Sequence, residues 1–307
     1  YPALLGTLFE LSLEEDGERV WFVAADYREN PAMAVFNAEF CLVSLKVICD
    51  DLLGRSLPLQ GARFEHAAPN DLWQMDFKGH SRLGDGSRLH PLTVVDDHSR
   101  YAPCLRALGT ETGKDVKAAL TQVFEMHGLP LRMFTDNGNP WGDSQGNRWT
   151  TFRVWLLKLG VELIHSRPYH PQSRGKNERF HRSLEAEVMS LRPLTTMADA
   201  QKAFDRWRHI YNHQRPHEAL DLAVPASRYR PSIRPMPRKP AEPHYADGTI
   251  TRKVPATKGY ISFMGRYWKV PDAFCGEYLA IRSTPNEAEF GVFFASHLIA
   301  TIDLTER

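Results

Sequence analysis

From residue 68 to residue 222 the apolar positions switch between two periods. In LWQMDFKG (72–79), Trp73, Met75 and Phe77 alternate with Gln74, Asp76 and Lys78, the two-residue period of a half-buried strand. HPLTVVDDHSRY and YAPCLRAL read as two further strands. ETGKDVKAALTQVFEMHG then changes to helical spacing, with Val116, Ala119, Leu120, Val123 and Phe124 on one face and Gly128-Leu129-Pro130 as the stop. LRMFTDNG is a short strand ending in a turn. NRWTTFRVWLLKLG is a helix with Phe152, Trp155, Leu156 and Leu159 inward, and VELIHS is a strand. A helix over 174–191 carries the stripe Phe180, Leu184, Val188 and Leu191, and ADAQKAFDRWRHIYNH carries Ala200, Phe204, Trp207 and Tyr211. The order β-β-β-α-β-α-β-α-α predicts an α/β layer fold with a mixed sheet.

The flanks read differently. RYRPSIRPMPRKPAEPH (228–244) is rich in proline and predicts an extended linker. After it, GYISFMGRYWKV, EYLAIRS and FGVFFASHLIATIDL are closely spaced strand signals, which predict a small β-barrel or sandwich. In the first 65 residues, RVWFVAADY suits a strand and PAMAVFNAEFCLVSLKVICDDLLG a helix, without a helix-turn-helix pattern. The expected organisation is an atypical segment over 1–61, an α/β core over 62–227, a linker over 228–247 and a small all-β domain over 248–307.

Charge changes this picture more than composition does. The chain has 307 residues and a formal net charge of +1, with 42% hydrophobic and 24% charged residues, ordinary for a globular protein. Residues 1–50 hold three Lys/Arg against nine Asp/Glu, whereas 166–239 hold fifteen against seven. The basic half is the expected nucleic-acid side, with double-stranded DNA the partner in view. No apolar run approaches a membrane span, and the first twenty residues lack the basic start of a signal peptide. Cys41, Cys49, Cys104 and Cys275 form no CxxC pair, so reduced, mostly buried thiols and a cytoplasmic location are expected.

SRPYHPQSRGKNERFHRSL (166–184) carries five Lys/Arg and a single acid, Glu178. A carboxylate amid phosphate-binding cations is repulsive unless a metal ion bridges them. Two other acids suit the same purpose: Asp76 on the polar face of its strand, and Asp136 where RMFTDNG meets its turn, a strand end of the kind that binds ligands in α/β folds. Three hard oxygen ligands from separate elements suit Mg²⁺, with Mn²⁺ as substitute, and a pair of such ions can clamp a phosphodiester. Taken singly, each acid has a plain reading: Asp136-Asn137-Gly138 is a turn signature, and Glu178 has Arg174 and Arg182 at helical spacing. Asp96 and Asp97 are rivals for Asp76, but VVDDHSRY reads more as a turn. His170, Lys176, Arg179 and Arg182 are candidate DNA contacts, with solvated helix charge as the alternative. Trp141 is expected as a core anchor rather than a base-stacking residue.

LWQMDFKGH, PLTVVDDHSRY, MFTDNGNPWG, PYHPQSRGKNERFHRSLEAEV and YNHQRPHEALDLAVPASRY, in that order, resemble bacterial insertion-sequence transposases with a retroviral-integrase-like core, nearest to insertion-sequence family 481. The resemblance covers about residues 62–307. It implies a ribonuclease-H-like core, catalytic and metal-holding roles for Asp76, Asp136 and Glu178, and Mg²⁺. It also implies cleavage of transposon ends, direct transfer of the freed 3′-hydroxyl to target DNA, and a multimer on DNA. Forty-one residues separate Asp136 from Glu178, more than is usual for such cores, and the NPWGDSQGNRW loop supplies the extra length. The basic helix-turn-helix domain of the family is absent from residues 1–60. A nuclease on the same fold and a DNA-binding relic are the rival readings; a strand-transfer product separates the first, and binding without cleavage the second.

Overall fold

The computed structural model describes residues 11–16, 19–24, 66–142, 149–165, 175–286 and 288–305. The chain divides into two compact units, Tyr1–Phe64 and Glu65–Arg307. In the first, β1 (Leu11–Asp16) pairs antiparallel with β2 (Arg19–Ala24), so the strand expected around RVWFVA is present. The expected helix from Pro31 lies outside the described residues, as do Cys41 and Cys49.

The second unit is built on a mixed sheet. Its centre is β3 (Leu72–Phe77), antiparallel to β5 (Arg88–Asp96) and parallel to β7 (Arg132–Thr135). β8 (Glu162–His165) continues in parallel beyond β7, and β6 (Cys104–Leu108) pairs antiparallel with β5 on the other side. A two-residue strand, β4 (Ser81–Arg82), pairs with the start of β5. This is the ribonuclease-H-like mixed sheet that the motifs implied, with helices on both faces.

The alternation in β3 decides which residues face which layer. Trp73 and Met75 go to the face covered by α1 (Gly113–His127) and α2 (Thr151–Lys158), where they pack with Leu120, Phe124, Phe152 and Trp155. The opposite face is covered by α3 (Gly175–Leu184) and α4 (Met197–His213). Phe180, Leu184, Phe204, Trp207 and Tyr211 pack there on Val95 and Leu105 of the sheet. Gln74 and Asp76 therefore belong to the α3 side. α1 and α4 bury the residues their periodicity predicts. α3 does not run on to 191 as a regular helix. From Glu185 to Met189 it widens into a π turn, closed by Ser190 N–H on the Glu185 carbonyl at 2.9 Å. The wider turn shifts the helical register, so Leu191, expected in the stripe, is 73% exposed.

α2 is apolar nearly all round because it is covered twice. Phe152, Trp155 and Leu156 face the sheet, while Val154 enters the core of the C-terminal domain. That domain has a four-stranded antiparallel sheet ordered β14-β13-β12-β9 and a hairpin of β10 and β11, which share one apolar core. The strands are β9 (Ile250–Lys253), β10 (Tyr260–Phe263), β11 (Arg266–Lys269), β12 (Tyr278–Ser283), β13 (Glu289–Phe294) and β14 (His297–Asp303). Lys158 of α2 joins Glu277 at 2.9 Å across the junction.

The proline-rich segment is extended but not loose. Ser232 N–H donates to the His127 carbonyl at 2.8 Å, and Leu129 N–H to the Arg234 carbonyl at 2.7 Å. The Arg234 guanidinium bonds the carbonyls of Pro130, Leu159 and Gly160. Tyr229 stacks on Tyr101, ring centroids 4.1 Å apart. Gly128 is required where the strap crosses α1. Its φ is +74°, and a Cβ there would meet the Ser232 carbonyl at 2.6 Å.

Candidate active site

Two of the three predicted acids lie at the carboxyl ends of neighbouring parallel strands. Leu72 is opposite Arg132 and Gln74 opposite Phe134. The ladder ends there, and Asp76 and Asp136 each lie two residues beyond its last pair. Asp136 follows the last residue of β7, and its Oδ1 accepts from Gly138 N–H at 2.9 Å and from Trp141 Nε1–H at 2.7 Å. Trp141 is the core anchor expected: 1% exposed, stacked on Phe77 at 5.4 Å and edge-on to Phe152. The turn after β7 thus folds back so that a buried indole orients the carboxylate.

Glu178 stands on α3, exposed and off the Phe180–Leu184 stripe. The helix is fixed to the sheet on both sides of it. One turn later, His181 Nε2 lies 2.8 Å from Thr93 Oγ1, which donates its proton to the Asp76 carbonyl at 2.9 Å. A hydroxyl has one proton, so His181 is the donor in its own bond. Burial, aided by the nearby Lys78 ammonium, holds the His181 pKa down at about 4, so the ring is neutral at pH 7. Two residues before Glu178, Lys176 Nζ donates to Asp97 Oδ1 at 2.5 Å and to the Asp97 carbonyl at 3.1 Å.

Lys176, a candidate DNA contact, is ion-paired with Asp97. Its ammonium neutralises a buried carboxylate, which would otherwise stand unpaired at high cost. Burial alone would raise the Asp97 pKa. Lys176, by charge and hydrogen bond, and the His66 backbone N–H hold it below the usual carboxylate range. Asp96, which has no such cation, is pushed up by burial, against hydrogen bonds from Ser99 and Asn70. Both rivals of Asp76 are thus interior residues of a strand end. Arg179 and Arg182 are exposed on α3. Arg182 lines a cavity of about 500 Å³ with Lys78, His181, Glu185, Ala186 and Ser190. Lys78 is ion-paired with Glu185. His170 lies outside the described residues.

Among the described residues no three His, Cys, Asp or Glu side chains form a metal-ready cluster. Asp76 and Asp136 lie at the ends of adjacent strands, and Glu178 stands on a helix packed on the same sheet. Sequence reasoning missed Trp141 Nε1 and Thr93–His181 as supports of the acids. It also missed Asp97, whose signal was present: two adjacent carboxylates ending an apolar strand require a buried cation or donor for each.

Comparison with known proteins identifies the core and the C-terminal domain. Models described as integrase core domain match residues 66–171 and 159–225, and the IS481 family transposase C-terminal domain matches 249–307. Residues 1–86 also match a model of the arabinose-binding domain of AraC transcription regulators. The overlap over 66–86 is decided by the fold, since β3 is the central strand of the mixed sheet. The chain is 31% identical over 161 residues to an insertion element IS407 protein of Burkholderia multivorans, covering 52% of this chain and 55% of that protein. It is 30% identical over 158 residues to an insertion element IS476 protein of Xanthomonas euvesicatoria, covering 52% and 44%. It thus spans about half the length of these curated relatives. The transposase for transposon Tn552 of Staphylococcus aureus is 24% identical over 273 residues, covering 77% of this chain and 54% of that one. The HTLV-2 integrase catalytic core domain, solved in complex with magnesium, superposes with a TM-score of 0.41 at 17% identity, covering 54% of this chain and all of that one. The chain thus carries an integrase core domain followed by a segment that matches the C-terminal domain of IS481 family transposases.

Proposed function

We propose that this chain is a metal-dependent DNA strand transferase, which cleaves at transposon ends and joins the freed 3′-hydroxyl to target DNA. The observation that carries the reading is the placement of Asp76 and Asp136 at the carboxyl ends of two hydrogen-bonded parallel strands, with the helix bearing Glu178 anchored to the same sheet. The donor set fits magnesium: three carboxylates offer hard oxygens, and two hydrogen bonds already orient one of them. Asp76, Asp136 and Glu178 would hold the ion, with manganese as a substitute. The bound ion supplies the positive charge that offsets the charge developing on a phosphodiester under attack.

In the transfer step the 3′-hydroxyl oxygen bonds to a target phosphorus and gives its proton to solvent, while the P–O3′ bond there breaks and the freed 3′-oxygen takes a proton from solvent. One phosphodiester replaces another, so no Ser or Tyr nucleophile is needed. Arg179 and Arg182, exposed on the helix that bears Glu178, suit the DNA backbone. A second basic surface supports the same partner. Residues 250–269 contain Arg252, Lys253, Lys258, Arg266 and Lys269 and no carboxylate, with Tyr267 81% exposed among them. Two DNA ends joined together require two active sites, which favours a homo-oligomer on DNA.

The test mixes the protein, Mn²⁺, a duplex with a free 3′-hydroxyl and supercoiled plasmid. The duplex joined covalently to plasmid DNA is the expected product. Nicked circles that never carry the duplex would reduce the activity to hydrolysis and overturn the transferase reading.

A further inference from the structure

Asp97 has no role in strand transfer as described, yet its buried carboxylate accepts three hydrogen bonds. Its side chain is 5% exposed. Oδ1 accepts from Lys176 Nζ and, at 2.8 Å, from Gln74 Nε2; Oδ2 accepts from the His66 backbone N–H at 2.9 Å. Two of these partners have a common property. Gln74 precedes Asp76 by two residues on the same face of β3, and Lys176 precedes Glu178 by two residues in the first turn of α3. One buried carboxylate therefore ties together the two elements that carry two of the proposed metal ligands.

The tie is not needed to hold the helix on the sheet. Phe180 and Leu184 already bury the apolar face of α3. Packing of that kind fixes which face is inward but resists sliding along the strand weakly, because apolar contact is non-directional. A short, charge-assisted bond fixes distance and direction. With the His181–Thr93 bond one turn further on, α3 is pinned on either side of Glu178.

We propose that Asp97 and Lys176 are a positioning pair that sets the reach of Glu178 toward Asp76, and so the affinity of the site for its divalent cation. The proposal rests on the reading that Asp76 and Glu178 share that cation. It removes Lys176 from the DNA-contacting residues, and this separates it from the alternative that Lys176 binds phosphate.

The experiment compares wild type, Lys176→Met, Lys176→Arg, the double variant Asp97→Asn/Lys176→Met, and Asp76→Asn. Manganese binding is read directly by the loss of the free-ion electron paramagnetic resonance signal, beside the Mn²⁺ dependence of plasmid nicking and a gel-shift titration with duplex DNA. For Lys176→Met a Mn²⁺ half-saturation raised ~10-fold or more is expected, the usual effect of losing a residue that orients a metal ligand. DNA affinity should stay within about 2-fold, because no phosphate contact is lost. Lys176→Arg should recover most of the manganese affinity, since a guanidinium also pairs with a carboxylate. Should Lys176→Met fail to fold, the double variant, which buries no lone charge, is expected to fold and to show the same weakened manganese binding. Wild-type manganese affinity in a folded Lys176→Met or double variant overturns the proposal, as does a loss confined to DNA binding. If wild type neither binds manganese nor nicks, or Asp76→Asn does both as wild type does, the active-site reading falls as well. An inactive Asp76→Asn beside a wild-type-like Lys176→Met defeats the positioning pair alone.

Discussion

Replacing Trp141 with Phe separates the two tasks of that side chain. A phenyl ring keeps the stack on Phe77 and the edge contact with Phe152, but it removes the Nε1–H that donates to Asp136 Oδ1 at 2.7 Å. A buried hydrogen bond to a charged acceptor contributes ~1.5–3 kcal/mol. The lost ring volume, roughly 40 Å³, adds about 1 kcal/mol at about 24 cal/mol per Å³. The expected destabilisation is therefore ~2–4 kcal/mol by urea denaturation. Asp136 keeps the Gly138 N–H but loses the indole donor, so Mn²⁺-dependent nicking should fall ~10–100-fold at a temperature where the variant is folded. Phe152→Leu is the control: it loosens the same cluster by about 1–2 kcal/mol without touching Asp136, and should nick normally. Equal nicking by wild type and Trp141→Phe would refute the claim that the indole orients the carboxylate. Equal losses in both variants would reduce the effect to stability.

Three further outcomes follow from the packing. A buried His181 with a pKa near 4 takes up a proton on unfolding between pH 6.5 and 4, so its stabilising contribution is present above pH 6.5 and fades as pH falls through that window. Wild type should lose ~2 kcal/mol of urea stability between about pH 7.5 and about pH 5 that His181→Asn does not lose, and identical pH profiles would refute this. Arg234→Ala strips three carbonyls of their donor and should cost ~2–4 kcal/mol, with earlier proteolytic cleavage in the 229–242 strap; unchanged cleavage would mean that the strap is held elsewhere. Phe204→Ala opens the core under α4 and should cost ~3–5 kcal/mol in denaturant, whereas a loss below about 1 kcal/mol would contradict the packing.

The layers of the core were legible because periodicity is a property of single elements. The faces of α1, α4 and β3 could be read from spacing alone, and the position of Asp136 from its turn residues. What escaped was set between elements. The π turn after Leu184 has no compositional signature, so Leu191 was assigned to a stripe that the widened turn breaks. Lys176 looks like any helix cation until the fold brings the Asp97 carboxylate to its ammonium. The proline-rich segment reads as a spacer, because proline cannot reveal that its neighbour Arg234 will meet three carbonyls of the core. The indole bond to Asp136 spans five residues and was within reach of sequence reasoning. It required knowing that the turn doubles back.

The central claim is that Asp76, Asp136 and Glu178 act as one metal-dependent site, and nicking of supercoiled plasmid in Mn²⁺ tests it without any knowledge of the transposon ends. Asp76→Asn, Asp136→Asn and Glu178→Gln should each abolish nicking while retaining the circular dichroism spectrum and the DNA gel shift of wild type. A folded variant of any of the three that nicks at the wild-type rate would contradict the site.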